Sequence, residues 1–585
     1  MLEPIKSKRK RRKFLVWDLE WYPGTYQLRL CGVHDGAHYR YYTTIEKFLE
    51  AELIPKNNNA WFFAHAGGLA DMAFVFEAIA KIPGVVVDAR FSGSSAIIVS
   101  LQWKGGEFWF IDSYWLLRDK LRKIGEALGM LKGGEENSIK MFSAPLPELA
   151  TYNEQDCLIL WTAISQFEDL IWDLGSQMQM TIASCAMGLF RRVHLTEKIE
   201  TSATINDWAS EAYIASRVEP IKPFCVDADY FDINSSFPYA MTFPAPGNVK
   251  KFRPGLPDHE LYIADAEISV PECHLPPLAR REGNRIYFPT GSWRAWFTGV
   301  DLQLLLKRGG KIKRVFSCVE FHPNNDLETY SRTIYKLRKE AKTPYMKLVL
   351  KYLLNSCYGK FAEGNEKEKL LIRPASTRCT HKVRCPEDSC MRMLFPGAWL
   401  MKEQVEIAHQ HVPFAAHITA IARRTLEGFL QEAGDPYYCD TDSIVTHHQF
   451  GTSDELGALK HEKHVSEARF AAAKVYQIDD EVKAKGFPRL NAEGFDRIMH
   501  GWELSEPRML RIREMFTSHD LTPRESLKSK SMRFIEREKR CIDYARNCSR
   551  PWTVEETKTP YEPASWTVDH YPSRASLLDG RPAAK

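Results

Sequence analysis

Residues 437–445 read YYCDTDSIV, with two aspartates one residue apart inside an otherwise apolar, aromatic run. Burying a carboxylate costs on the order of several kcal/mol unless something neutralises it. A hard divalent cation does this well, because Mg²⁺ prefers carboxylate oxygens. Asp440 and Asp442 stand at i and i+2, so on a strand or its hairpin they project to the same side. The same residues also suit an Asp-rich turn, since Asp tolerates the left-handed region and caps its own backbone. The choice depends on whether other carboxylates are set up in the same way.

The chain has 585 residues, enough for two to four domains. It is 44% hydrophobic and 12% aromatic, which suits well-packed cores and excludes a disordered chain. The formal charge of +4 conceals local blocks. Thirteen cysteines are scattered without framework spacing, which fits a reducing compartment better than a disulfide scaffold. No apolar run is long enough to span a membrane. Lys8–Lys13 (KRKRRK) is basic but lacks a following apolar region, so it is not a secretory signal. It reads as a solvated arm, a phosphate-binding arm or a nuclear localisation signal. The expected location is the host cytoplasm, or the nucleus of a eukaryotic host.

FLVWDLEW (14–21) has the pattern of a buried strand ending in two acids. Residues 61–82 begin as a strand, turn at Gly67–Gly68 and continue as an apolar helix from about Asp71. EFWFIDS (107–113) predicts another strand, followed by helical spacing to residue 130, and 149–174 predicts a long amphipathic helix. This alternation makes residues 1–185 an α/β domain. Less regular texture follows through 186–243. A Pro-rich stretch at 244–330 has the look of an inserted subdomain. Residues 331–361 hold the main part of two helices separated by Thr343 as N-cap and Pro344 at the first helical position. A second irregular insert covers 362–411, strand-like residues return within 412–510, and 511–585 is a basic, Trp/Pro-rich tail. The fold class expected is multidomain, α/β followed by α+β.

Two constellations answer the opening question. In the first domain, Asp18 and Glu20 share a strand face, Asp71 opens a helix, and Tyr152 and Asp156 stand four apart on one helix face. Four acids on separate elements can converge on two divalent ions, an arrangement that activates water and stabilises a leaving oxygen. The alternative is four ordinary surface acids, which VWDLEW makes hard to accept. In the second, Asp232 ends a strand-like run and joins Asp440 and Asp442. Lys351, Asn355 and Tyr358 form one helical stripe at i, i+4 and i+7, and Arg338 and Lys342 are likewise i, i+4. Cations facing a carboxylate–metal pair suit a nucleoside triphosphate.

Here the residues resemble a family B DNA polymerase of the protein-primed group. YCDTDS (438–443) matches the YxDTDS motif, DINSSFP (232–238) matches DxxSLYP, and KYLLNSCYG (351–359) matches KxxxNSxYG, in the family's order. Five fixed residues matching by chance is on the order of one in several thousand for a chain this long, and three such motifs in order exclude the turn reading of 437–445. The resemblance covers nearly the whole chain. It implies an RNase H-like 3′–5′ exonuclease domain carrying Asp18, Glu20, Asp71, Tyr152 and Asp156. A palm, fingers and thumb would follow, with terminal-protein regions at 244–330 and 362–411. It implies two Mg²⁺ or Mn²⁺ ions at each site, held by Asp18, Glu20, Asp71 and Asp156, and by Asp232 and Asp442 with Asp440. Phe237, Arg338, Lys342, Lys351, Asn355 and Tyr358 would bind the nucleotide. Ser113, Tyr213, Thr419, Arg423, Lys474 and Tyr476 would hold DNA. The implied partners are primer-template DNA, nucleoside triphosphates and a priming protein whose hydroxyl starts the strand. The chain would act as a processive, strand-displacing monomer.

Some positions depart from the family. Ala66 replaces the usual Asn before the second exonuclease acid, and Ala70 replaces the aromatic beside Asp71. Metal binding is expected to be intact and proofreading weakened. Phe237 takes the usual Tyr position, where the ring would block a ribose 2′-OH. Cys379, His381, Cys385 and Cys390 offer zinc ligands at a spacing that fits no standard finger. Two rival readings stay open: a primer-independent relative, and a non-catalytic nucleic-acid-binding scaffold.

Overall fold

Strand Phe14–Trp21 forms because its inward side chains are apolar: Leu15, Val16, Trp17 and Leu19 are all buried. The computed structural model describes residues 1–558, apart from 23, 94, 131–142, 373–390, 396, 486, 488–489, 500–503, 519, 531–538 and 544–545. The four zinc-ligand candidates, Cys379, His381, Cys385 and Cys390, lie outside the described residues, as does the end of the tail.

Phe14–Trp21 runs parallel to Trp61–Ala64, which runs parallel to Gly106–Asp112, and it pairs antiparallel with Leu28–His34. Trp17 anchors this sheet, stacked on Phe48 and edge-on to Phe110, each at 5.6 Å. Helix Leu146–Asp173 covers one face. Its buried positions include Leu149, Asn153, Asp156, Leu160, Ile164, Phe167 and Ile171, a stripe at three- and four-residue spacing. The basic block lies along the end of this helix. Arg9 sits 4.2 Å over Trp172, Arg11 binds Asp169 at 2.6 Å, and Arg12 lies 5.4 Å over Trp61. Those three arginines are engaged by the fold; Lys8 and Lys10 stay exposed.

The second insert departs from the irregular unit its sequence suggests. Strands Glu366–Ile372, Ala398–Gln404 and Met391–Phe395 extend the first domain's sheet through Val86–Ser92, with Lys369 opposite Arg90 and Ile372 opposite Val87. Val86–Ser92 would otherwise be an edge with unpaired backbone groups, and the insert covers it. The Pro-rich first insert is also regular. Strands Ala245–Arg253, Lys311–Asn324, Tyr262–Val270 and Gly291–Thr298 form an antiparallel sheet packed on helix Gly299–Lys307. Pro246 lies in the edge strand, and Pro254, Pro257, Pro271 and Pro276 fall in connections, positions where a missing N–H is tolerated.

A seven-stranded sheet carries the second constellation, with Phe224–Ile233 between Leu459–Ala472 and Ser443–Thr446. Helices Asp326–Lys339 and Pro344–Ser356 stand beside it, and the Thr343 hydroxyl accepts the Met346 N–H at 3.2 Å, as the sequence predicts. The described part of 511–585 is divided between two cores. Ile512, Met515 and Phe516 join the first domain, Phe516 edge-on to Phe76 at 5.3 Å, whereas Val554 packs under the first insert. No described helix is long and apolar enough to cross a membrane.

Candidate active sites

Register places the opening stretch. Asp440 pairs with Ser443, leaving Thr441 and Asp442 as a two-residue turn, and Ser443 pairs on its other side with Asp232. Thr441 adopts φ +67°, and its N–H donates to the Arg217 carbonyl at 2.8 Å. The Ile233 N–H donates to the Asp442 carbonyl at 2.7 Å. The exclusion of a turn here requires correction: the stretch is a hairpin turn, and that turn is what brings Asp442 beside Asp232. Burial, then the charges of Asp442 and Glu462, push the Asp232 carboxyl up to about 7; Lys460 and Lys351 pull the other way. Burial and Asp440 push Asp442 up to about 6, opposed by Lys474 and Lys351. The Lys351 charge thus favours the ionised form of both acids. Asp440 is instead paired with Lys474, Nζ to Oδ1 at 2.9 Å.

Lys474 has φ +62°, and its N–H donates to the Tyr438 hydroxyl at 2.9 Å. It shares a cleft of about 650 Å³ with Asp232, Asp440, Asp442 and Tyr476, and also with Lys483 and Lys485. The sequence reading missed those two lysines; their alternation with Val482 and Ala484 next to the Lys474–Tyr476 motif was the available signal.

Beyond the acids, Phe237 and Tyr358 stack with centroids 4.3 Å apart at 15°. Arg338 Nη1 donates to Ser235 Oγ at 3.2 Å, two residues before Phe237. Asn355 and Tyr358 open onto a groove of about 670 Å³ walled by Arg90, Phe91, Trp115 and Arg118 of the first domain and Lys367 of the second insert. Lys342 requires correction. The first helix ends at Lys339, so Lys342 lies exposed in the connection and does not continue the Arg338 face. Pro344 disfavours helical backbone at Thr343 and forces this break.

In the first domain, carboxylate oxygens of Asp18, Glu20 and Asp156 lie within 4.8 Å of one another. Asp71 stands outside that triad but opposite Glu20. Burial first, then Asp112 and Glu20, raise its carboxyl to about 8. Tyr152 is half-buried on the helix that carries Asp156. Asp112, which the sequence reading did not single out, is raised to about 6 by burial, while N–H groups of Tyr114, Gly68 and Ala66 and the Ser95 hydroxyl oppose this. Asp112 therefore fastens the turn that precedes Asp71. Ala66 in that turn has φ +58°. A Cβ on Gly68 would stand 2.0 Å from the Ala96 carbonyl oxygen, so only glycine fits there.

Three expected DNA contacts are otherwise employed. Ser113 is fully buried, its hydroxyl donating to the Ala64 carbonyl at 3.1 Å and lying 3.0 Å from His65 Nδ1. Thr419 is buried, its hydroxyl donating to the Ala416 carbonyl at 3.0 Å. Arg423 is buried and bound to Asp301 at 2.9 Å and to the Ile214 carbonyl. Helix Val412–Ala433 packs on helices Ala203–Ala212, Ser236–Ala240 and Gly299–Lys307, so Thr419 and Arg423 lie within the fold. Tyr213, half-buried, accepts Arg281 on its carbonyl.

Residues 143–383 match the family described as DNA polymerase type B, organellar and viral. A probable DNA polymerase of Neurospora intermedia is 25% identical over 363 residues, covering 56% of this chain and 37% of that protein. The DNA-directed DNA polymerase of Enterobacteria phage PRD1 is 24% identical over 398 residues, 66% of each chain. The chain thus spans little more than a third of the Neurospora protein and two thirds of the phage one. Among solved structures, Phi29 DNA polymerase complexed with primer-template DNA superposes with a TM-score of 0.68 at 17% identity, over 89% of this chain and 100% of that one.

The fold is that of Phi29 DNA polymerase. The motifs resemble the protein-primed group of the type B family whose model matches residues 143–383. The two acidic centres stand on two different sheets, Asp18 and Glu20 on the ten-stranded one and Asp232 and Asp440 on the seven-stranded one.

Proposed function

We propose that the protein is a DNA-dependent DNA polymerase with a 3′–5′ exonuclease site in its first domain. The observation that carries this is the approach of Asp442 to Asp232 at the hairpin turn, with the Lys351 charge favouring ionisation of both. Binding alone would not need buried carboxyls held so close that Asp442 opposes the ionisation of Asp232, and Asp440 that of Asp442, which argues against a non-catalytic scaffold.

All the donors at both centres are carboxylate oxygens, and the triad of Asp18, Glu20 and Asp156 is tight enough to share a cation. This fits hard ions such as Mg²⁺ or Mn²⁺. Asp232 and Asp442 would hold them at one centre, and Asp18, Glu20, Asp156 and Asp71 at the other. When bound, such ions supply charge neutralisation and a lowered pKa at the attacking oxygen. Lys351 and Arg338 would hold the triphosphate. The Phe237–Tyr358 stack would form the wall against the sugar and new base pair. Lys474, Lys483 and Lys485 would track the DNA backbone, a salt-dependent contact without sequence preference. The groove between the first domain, Asn355 and the second insert supports a path for a single template strand, with Phe91 and Trp115 as stacking faces.

A priming protein is the partner that the two inserts suggest. Support comes from the first insert, a separate sheet whose edge strand presents the exposed Phe252 beside the stacked Trp208 and Trp296. A single assay separates the readings: template, dNTPs and Mg²⁺, with and without an annealed primer. Extension only from a primer supports the polymerase with external priming, and products without primer support the primer-independent relative. No product in either arm rejects polymerisation.

A further inference from the structure

We propose that Asn153 is a positioning residue that holds the Asp18 and Glu20 carboxylates in register for 3′–5′ cleavage. The proposal rests on the exonuclease reading above. Asn153 occupies the apolar stripe of helix Leu146–Asp173, between Leu149 and Asp156, and is fully buried. A buried amide there is costly unless its hydrogen-bonding groups are used. They are used toward the acids. Its Nδ2 donates to Asp18 Oδ2 at 3.0 Å, to the Asp18 carbonyl at 3.3 Å and to Glu20 Oε1 at 3.4 Å.

The opposite side of the amide fixes its orientation. Asn153 Oδ1 accepts the Tyr39 hydroxyl at 3.0 Å and the Cys157 thiol at 3.7 Å. Turning the amide over would set an oxygen against two carboxylates, so the donor arrangement admits one orientation. The neighbouring strand is shaped to receive it. Gly32 pairs with Asp18, and a Cβ on Gly32 would fall 1.7 Å from Asn153 Oδ1 and 2.7 Å from the Tyr39 hydroxyl. Gly32, Tyr39 and Asn153 thus form a cradle behind the carboxylate pair.

The chemistry of an amide suits the task. Asp18 and Glu20 repel each other when ionised, and a donor between them restrains both. A lysine there would also restrain them, but its charge would oppose cation binding. Asn153 donates without adding charge.

The test uses full-length protein and two substitutions. Asn153→Leu keeps volume and removes the donor; Tyr39→Phe leaves the amide in place and removes only the bond that orients it. Mn²⁺ affinity is read by loss of the free-ion EPR signal, in an Asp232→Asn, Asp442→Asn background so that only the first domain reports. Single-turnover digestion of a labelled oligonucleotide is read in the parent background. Groups that orient metal ligands typically govern about 10–100-fold in affinity or rate. We expect Asn153→Leu to weaken Mn²⁺ binding and slow digestion within that range, and Tyr39→Phe to do both more mildly. The double substitution should be no worse than Asn153→Leu alone. Unchanged Mn²⁺ affinity in both variants, each melting near the parent temperature, overturns the proposal. If Asn153→Leu fails to fold, Tyr39→Phe decides by the same criterion. If the parent digests nothing yet binds Mn²⁺, the exonuclease reading fails while the affinity comparison still decides the role of Asn153.

Discussion

Phe237 and Tyr358 stack at 4.3 Å although they come from different elements, one after the strand that bears Asp232 and one after the helix that bears Lys351. Each ring therefore restricts the other, and Phe237 cannot swing away from an approaching sugar without breaking the stack. A wall held this way excludes a 2′-OH by shape. Phe237→Val should raise ribonucleotide incorporation tenfold or more, a shift of about 1.4 kcal/mol in discrimination. The measurement is kcat/KM for one rNTP against its dNTP. Unchanged discrimination would assign the wall to another side chain.

Ala66 concerns the exonuclease turn. Its φ of +58° places a Cβ-bearing residue in the left-handed region, at a cost of roughly 1–2 kcal/mol, which Asn bears more easily. Ala66→Asn should raise the melting temperature and also speed digestion of single-stranded DNA. Ala66→Gly should share the first effect and lack the second. Equal digestion rates in parent, Asn and Gly variants would show that nothing at position 66 contacts the strand.

Proton linkage gives a stability test. The folded carboxyls of Asp71, Asp232, Asp442 and Asp112 are pushed up to about 8, 7, 6 and 6. Unfolded aspartates titrate near 4. Between those limits the folded chain keeps protons that the unfolded chain has lost, so stability falls as pH rises. In EDTA the melting temperature should therefore drop from pH 6 to pH 8 at fixed ionic strength. Mg²⁺ should restore it, and more at pH 8. A melting temperature that rises over that interval without metal would contradict the burial of these acids.

What the sequence disclosed was local. The Thr343 cap and the helical spacing of Lys351 and Asn355 follow from spacing within one or two turns of chain. Tyr358, by contrast, lies in a 3-10 turn past the helix end at Ser356, and Asp442 in a hairpin turn that the sequence reading set aside. What it concealed depends on distant partners. Arg423 matches a DNA-contact motif, but Asp301 in the capping box of another helix engages it. The second insert looks irregular alone because its strands are completed by Val86–Ser92, far back in the chain. Asn153 was visible as a polar residue inside an apolar stripe. Its meaning required Gly32 and Tyr39, which only the sheet brings near.

The central claim is that two acidic centres on two sheets perform two reactions. Asp442 belongs to the seven-stranded sheet, and the Asp18–Glu20–Asp156 triad is built on the ten-stranded sheet and its covering helix. The most direct measurement is Asp442→Ala assayed in parallel for primer extension and for digestion of a single-stranded oligonucleotide. Losing one carboxylate of a metal-bearing pair should remove about 4 kcal/mol or more of transition-state stabilisation, roughly 1,000-fold in nucleotide addition. Digestion should stay within about twofold of the parent rate, since distant sites act independently. Equal loss of both activities, or retention of extension, would contradict the account.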